Sequence, residues 1–151
     1  MLELYNIKKT FHSGTVHEVR ALNGVSLTLE KGSFVCVLGS NGSGKSTLLN
    51  AIAGTFPIDE GTIRMDGTDI TAWPEHRRAR YMGRVFQNPL SGTAPNMTIG
   101  ENISLALRRG KPRGLGPGIS HGKKEEYRQM VRPLNMDLEE LDNLIDSSLT
   151  Y

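Results

Sequence analysis

Residues Gly39 to Thr47 read GSNGSGKST, and no other stretch of the 151-residue chain restricts its fold as tightly. Before it stands Ser33–Leu38, a run with Phe34-Val-Cys-Val-Leu at its centre, which predicts a strand buried on both faces. After it, Thr47-Leu-Leu-Asn-Ala-Ile-Ala predicts a helix, and Gly54 is placed to end it. Gly39, Gly44, Lys45 and Ser46 match GxxxxGK[ST], in the strand–turn–helix setting that gives this motif its meaning. Its glycines let the backbone curl around an anion, successive N–H groups turn inward, and the helix adds its positive end. The expected nucleotide-binding residues are therefore Gly39, Ser40, Asn41, Gly42, Ser43, Gly44, Lys45, Ser46 and Thr47. Lys45 would neutralise the outer phosphates and the Ser46 hydroxyl would ligate Mg²⁺. The alternative is a glycine-rich turn that binds nothing.

Composition removes several classes. With 37% hydrophobic and 23% charged residues the chain is of ordinary globular make-up. Its longest apolar run, Phe34–Leu38, is far too short to span a bilayer, and MLELYNIKK lacks the layout of a signal peptide. The expectation is a cytoplasmic protein that reaches a membrane only through a partner. The single cysteine, Cys36, can form no internal disulfide and is expected to pack in the core. The net charge of +2 hides an asymmetry: eight Lys/Arg between Arg108 and Arg132, then five acids and no Lys or Arg from Pro133 to Tyr151. No aromatic residues interleave with the basic ones in Arg108–Lys124, so solvated surfaces are expected rather than a nucleic-acid interface.

Along the chain, Leu2–Ile7 and Val25–Leu29 alternate as strands do, and Gly61–Met65 and Arg80–Phe86 read as two more. Asp66-Gly67 signals a turn, and Pro74 can open a short helix through Glu75–Arg80. Thr98 with Glu101 fits a capping box for a helix with Ile99, Ile103, Ala106 and Leu107 on one face. Arg108–Lys124 reads as a long loop. Lys124–Arg132 predicts a helix with a stripe of Tyr127, Met130 and Val131, ending near Pro133, and Asp137 with Glu140 could cap a last helix. The expected organisation is a mixed β/α part over residues 1–90 and a helical part over 91–151.

The flanks of the loop resemble the N-terminal portion of the ATP-binding-cassette (ABC) family. GSNGSGKSTLLNAIAG is close to the family's loop and Leu-rich helix, LNGVSLTLEKGSFVCVLG is similar to its entry, and IRMDGTDI with YMGRVFQNP resembles its β-subdomain and glutamine loop. The resemblance covers the chain to about residue 107 and more loosely the rest. It implies an α/β P-loop NTPase fold: an incomplete ABC ATPase domain with an N-terminal antiparallel β-subdomain, the loop's strand and helix, and part of a helical subdomain. It implies ATP and Mg²⁺ as cofactors. Phe11 falls where the family places an aromatic that stacks on adenine, with core packing the alternative. Gln87 matches the glutamine that contacts Mg²⁺ and the attacking water. The implied partners are a separate membrane permease and a second copy of the full-length protein, head to tail, with the protein held at the inner face of the membrane by the permease. LSGTAP resembles a bacterial importer subgroup with amino-acid-like substrates.

The chain also departs from the family. Leu90-Ser-Gly begins like the LSGGQ signature but continues Thr93-Ala-Pro, too near Gln87 to be it, and reads as a loop leading to Thr98. No LSGGQ, no apolar run ending in Asp-Glu and no switch histidine occurs; His12, His17, His76 and His121 read as surface residues. The expectation is that the chain stops inside the helical subdomain, carries no catalytic residue, and is marginally stable because the loop's strand lacks its acidic neighbour. An ATPase subunit of an ABC importer, here truncated, is the leading reading. A complete nucleotide-binding module without turnover and a soluble ABC ATPase of DNA repair or translation stay open. A small nucleotide kinase is disfavoured by the β-rich segment before the loop.

Overall fold

The computed structural model describes residues 1–109 and 121–134, and the chain divides between Met82 and Gly83 into two compact units. The helix expected from Asp137 and residues 110–120 of the expected loop 108–124 lie outside the described residues, and residues 121–124 of that loop are helical instead.

The first unit is built on an antiparallel sheet of order β2-β1-β3-β4, with β1 at Leu2–Phe11, β2 at Val19–Leu29, β3 at Glu60–Met65 and β4 at Thr68–Asp69. Leu4 and Ile7 are three residues apart, which in an unbroken strand puts them on opposite faces. The β1–β2 register runs Leu2↔Leu29, Glu3↔Thr28 and Leu4↔Leu27, then jumps to Ile7↔Val25. At the jump Asn6 takes a left-handed conformation (φ 50°), and its N–H donates to Ser26 Oγ at 2.9 Å. Asparagine tolerates that conformation better than most residues. The bulge turns the strand so that Leu4 and Ile7 are both buried, at 3% and 0% exposure. Asp66 and Gly67, both with positive φ, make the two-residue turn between β3 and β4 that their sequence predicts.

The first helix, α1 at Lys45–Ala53, lays Leu48 and Ala51 on this sheet, and they join Leu4, Ile7, Leu22, Ile63 and Ile70 in the core. Removing each large aliphatic side chain from water contributes roughly 1.5–3 kcal/mol. Gly54 closes α1 with φ 81°, and its N–H donates to the Ala51 and Asn50 carbonyls. Pro74 opens the short α2, Glu75–Arg78, as expected.

Arg78 is the buried charge of this unit, at 2% exposure. Its guanidinium donates to the carbonyls of Trp73, Ala51, Ile52 and Thr71, each at 2.8 Å. Burial pushes its pKa down from the ordinary arginine value. Ala51 and Ile52 lie at the carboxyl end of α1, where unsatisfied carbonyls carry partial negative charge and favour a cation. The contact is close enough that a Cβ on Gly54 would stand 2.9 Å from Arg78 Nε.

Two predicted strands are not formed. Ser33–Leu38 pairs with no strand among the described residues, and Phe34 and Leu38 are 95% and 86% exposed. Cys36, expected in the core, is exposed with them. Arg80–Phe86 is likewise unpaired, and Val85 is 97% exposed. The reason is the same in both: an apolar run becomes a buried strand only where neighbours supply hydrogen bonds and a covering layer, and the sheet's order leaves both segments outside it.

In the second unit a 3-10 turn, Pro89–Gly92, covers the LSG segment, so LSGTAP is the expected loop. Asn102 holds the stretch from Ala94 to Thr98: its side chain accepts from Ala94 N–H at 2.8 Å and donates to the carbonyls of Ala94, Met97 and Thr98. Helix α3, Ile99–Leu107, begins with the predicted capping box, Thr98 and Glu101 each accepting from the other's backbone N–H. Its buried positions are Gly100 and Ser104, whereas Ala106 and Leu107 of the predicted stripe are exposed. The next helix, α4, spans His121–Val131. On α4, Tyr127 and Val131, which share a face at i and i+4, are buried, and Met130 of the predicted stripe is 44% exposed.

Arg78→Met would strip its donors from four carbonyls, of which Ala51 keeps the Gly54 N–H. An unsatisfied buried polar group costs about 1–3 kcal/mol, so urea denaturation should show a loss of about 3 kcal/mol or more. A loss below about 1 kcal/mol would mean that Arg78 does not hold the end of α1.

Candidate phosphate-binding site

The phosphate loop lies at the amino end of α1. Its last residue before the helix, Gly44, is the N-cap, with φ 89° and no side-chain cap. The first N–H groups of a helix have no partner within it, and here no side chain covers them. The positive end of α1 therefore faces the loop. Ser43 N–H donates to the Ser40 carbonyl at 3.2 Å, which closes a turn inside it.

Lys45 folds back over this turn. Its ammonium donates to the carbonyls of Gly39 and Ser40, each at 2.7 Å, and lies 3.4 Å from Ser43 Oγ. These bonds draw the two ends of the loop together around one positive charge. Ser46, one residue on, is exposed in the first turn of α1. A Mg²⁺ ion takes oxygen ligands and is commonly held by substrate phosphates and waters with few protein groups. One exposed hydroxyl beside the loop fits that role. Among the described residues no group of three His, Cys, Asp or Glu is placed to hold a metal ion without a substrate.

The loop is positioned by β2. A Cβ on Gly44 would stand 2.6 Å from the Ala21 carbonyl oxygen and 3.5 Å from Leu22 Cδ2. The same strand pairs Val19 with Phe11. Val19 and Ala21 are two residues apart, about 7 Å along a strand. The sheet thus brings Phe11 and the phosphate loop to one end of the first unit. Gln87, by contrast, is exposed in the second unit.

Phe11 is half-buried and meets Phe56 edge to face, with ring centroids 5.3 Å apart and planes at 82°. The packing alternative for Phe11 is present to that extent. Lys9 Nζ sits 5.6 Å from the Phe11 ring and 5.7 Å from that of Phe56. It donates to Asp59 Oδ1 at 2.7 Å, and the Thr10 N–H donates to Asp59 Oδ2 at 2.6 Å. The bond from Lys9 and then that from Thr10 hold the Asp59 carboxyl below its ordinary pKa. Sequence patterns missed Phe56 and Asp59, because their relation to Phe11 spans about half the first unit's length and leaves no local signal, and they missed Lys9 because its partner is Asp59. The phosphate loop needed none of that, since its geometry is set within nine residues.

Gly44→Ala places a Cβ against the Ala21 oxygen in a conformation that alanine resists, and should lower stability by more than about 1 kcal/mol in thermal or urea unfolding. A fully stable variant would show that the loop is not seated on β2. For Asp59 the folded pKa is depressed, so its contribution is full above the unfolded value of about 3.9 and is lost as pH falls through the lower folded value. The stability gap between the native chain and Asp59→Asn should accordingly be present at pH 6 and shrink below about pH 4. A gap that does not change with pH would rule out the ion pair as its source.

A protein-family model described as ABC transporter matches residues 22–149. The "Tyrosine transport ATP-binding protein" of Clostridioides difficile (strain R20291) is 39% identical over 138 residues, covering 91% of this chain and 55% of that protein. The "Probable branched-chain amino acid transport ATP-binding protein LivG" of Archaeoglobus fulgidus is 36% identical over 154 residues, covering 97% of this chain and 55% of that protein. The chain thus spans about half the length of these curated relatives. Among solved structures, the dimeric post-hydrolysis state of the ATP-binding cassette MJ0796 bound to ADP and Pi is similar at a TM-score of 0.75 and 27% identity, over 95% of this chain and 61% of that one. With the loop, its helix and most of the antiparallel sheet inside the matched region, the chain belongs to the ABC transporter family.

Proposed function

We propose that the chain binds ATP as part of the ATPase subunit of an ABC importer. The observation that carries this reading is the uncapped amino end of α1, with Lys45 folded over the loop between Gly39 and Ser43. An incoming polyphosphate would take the uncapped N–H groups at the amino end of α1 and exchange its oxygens for the Gly39 and Ser40 carbonyls at Lys45. Phe11 would stack on the adenine. Ser46 would supply one oxygen to a Mg²⁺ ion carried in with the phosphates, which offsets their charge, and Gln87 is a second candidate for contact with that ion.

The subunit would dock on a separate permease at the inner face of the membrane and pair head to tail with a second copy. No helix among the described residues is long and apolar enough to cross a membrane. The MJ0796 cassette is dimeric in a comparison structure, and two of the relatives are named for transport of tyrosine and of branched-chain amino acids. Those names support an amino-acid-type importer, as the GTAP stretch does. Binding without turnover is proposed for this chain by itself, since its sequence holds neither LSGGQ nor an apolar run ending in Asp-Glu. ATP hydrolysis by the isolated chain above a Lys45→Ala control would refute that part.

Titration calorimetry tests the site. Lys45→Ala removes a charge-assisted contact worth about 1.5–3 kcal/mol, so Mg-ATP affinity should fall by about tenfold or more. Phe11→Ala should weaken ATP while leaving inorganic tripolyphosphate unaffected. Unchanged affinity in Lys45→Ala would mean that the loop is not the phosphate site.

A further inference from the structure

Phe56 lies outside the nucleotide motifs, yet it links both ends of the proposed site. It stands just after Gly54, the residue that ends α1, and the other end of that helix is the phosphate loop. It packs against the core cluster beneath the sheet, and its ring meets that of Phe11 edge to face at 5.3 Å. The segment bearing it is stitched twice to the last residues of β1: Asp59 N–H donates to the Lys8 carbonyl at 2.9 Å, and Asp59 accepts from Thr10 N–H at 2.6 Å. Lys9 reaches Asp59 at 2.7 Å with its side chain only 12% exposed, which fixes its ammonium near both rings.

A terminal-strand phenylalanine can turn about its side-chain bonds, and a ring free to do so loses entropy when a base stacks on it. A T-shaped partner and a flanking cation restrict that freedom before any ligand arrives. Because Phe56 rides on the turn after α1, the ring it holds is also kept in register with the phosphate loop at the other end of that helix. We propose that Phe56 is a positioning residue for the base half of the nucleotide site: it holds the Phe11 ring at the angle at which a purine stacks, and contributes to affinity for a nucleoside triphosphate but not for its phosphate chain alone. This rests on the ATP-binding reading above.

The test uses calorimetric titration of the full chain with Mg-ATP and with inorganic tripolyphosphate, for the native protein, Phe56→Ala, Phe56→Tyr, Phe11→Ala and the Phe11→Ala/Phe56→Ala pair. Phe56→Ala is expected to lower ATP affinity by about threefold to tenfold, the scale of one aromatic pair, and to leave tripolyphosphate affinity unchanged. Phe56→Tyr, which keeps the ring, should restore the native ratio of the two affinities. The double variant should bind ATP no more weakly than Phe11→Ala, since Phe56 acts through Phe11. An equal loss for both ligands would make Phe56 a core residue only and overturn the proposal, as would additive losses in the double variant. Lys45→Ala separates the two layers. If it weakens tripolyphosphate binding while Phe56→Ala leaves the ratio unchanged, the positioning role alone fails. If it has no effect on tripolyphosphate, the phosphate site fails and the positioning role with it.

Discussion

The buried guanidinium of Arg78 is the interaction on which the first unit turns. Its hydrogen bonds go to main-chain carbonyls, two of them at the carboxyl end of α1 and two in the segment 71–73. A charge taken out of water so completely is costly unless its donors are matched, and here they are matched by four main-chain oxygens, among them that of Ile52 at the helix end. Among the described residues no buried side-chain nitrogen or oxygen lacks a partner. The result is a helix fixed at its far end, so that its near end can stay open. Gly44 seats that near end on β2 without a capping side chain, which leaves the helix's positive pole available to an anion.

A similar pattern of contacts explains how the two halves of the proposed nucleotide site come together. Neither Phe11 nor the loop is near the other in sequence, but β2 touches both, pairing with Phe11 at Val19 and supporting Gly44 at Ala21. The turn after α1 adds a second connection through Phe56, Lys9 and Asp59. Gln87 stands in the second unit, and its part in the site is a proposal carried by the family pattern.

Much of the architecture could be read directly from the residues where the signal is local. The Asp66-Gly67 turn, the Gly54 stop, the Pro74 start and the Thr98–Glu101 capping box each depend on dihedral preferences or hydrogen bonds within a few residues, and each is found where expected. Helix faces were less legible. On α3 the buried positions are Gly100 and Ser104 rather than the apolar stripe, because burial depends on what covers a face and hydrophobicity alone does not encode that.

What the sequence by itself determined is the phosphate loop. The backbone path of GSNGSGKST is dictated by its glycines and by the helix after it, so its chemistry is written in consecutive residues. What only the tertiary structure decided is which apolar and charged residues find partners. Ser33–Leu38 has the composition of a buried strand and is exposed, whereas Arg78 has the composition of a surface residue and is buried. Burial is a property of a pair of surfaces, and the second surface lies elsewhere along the chain.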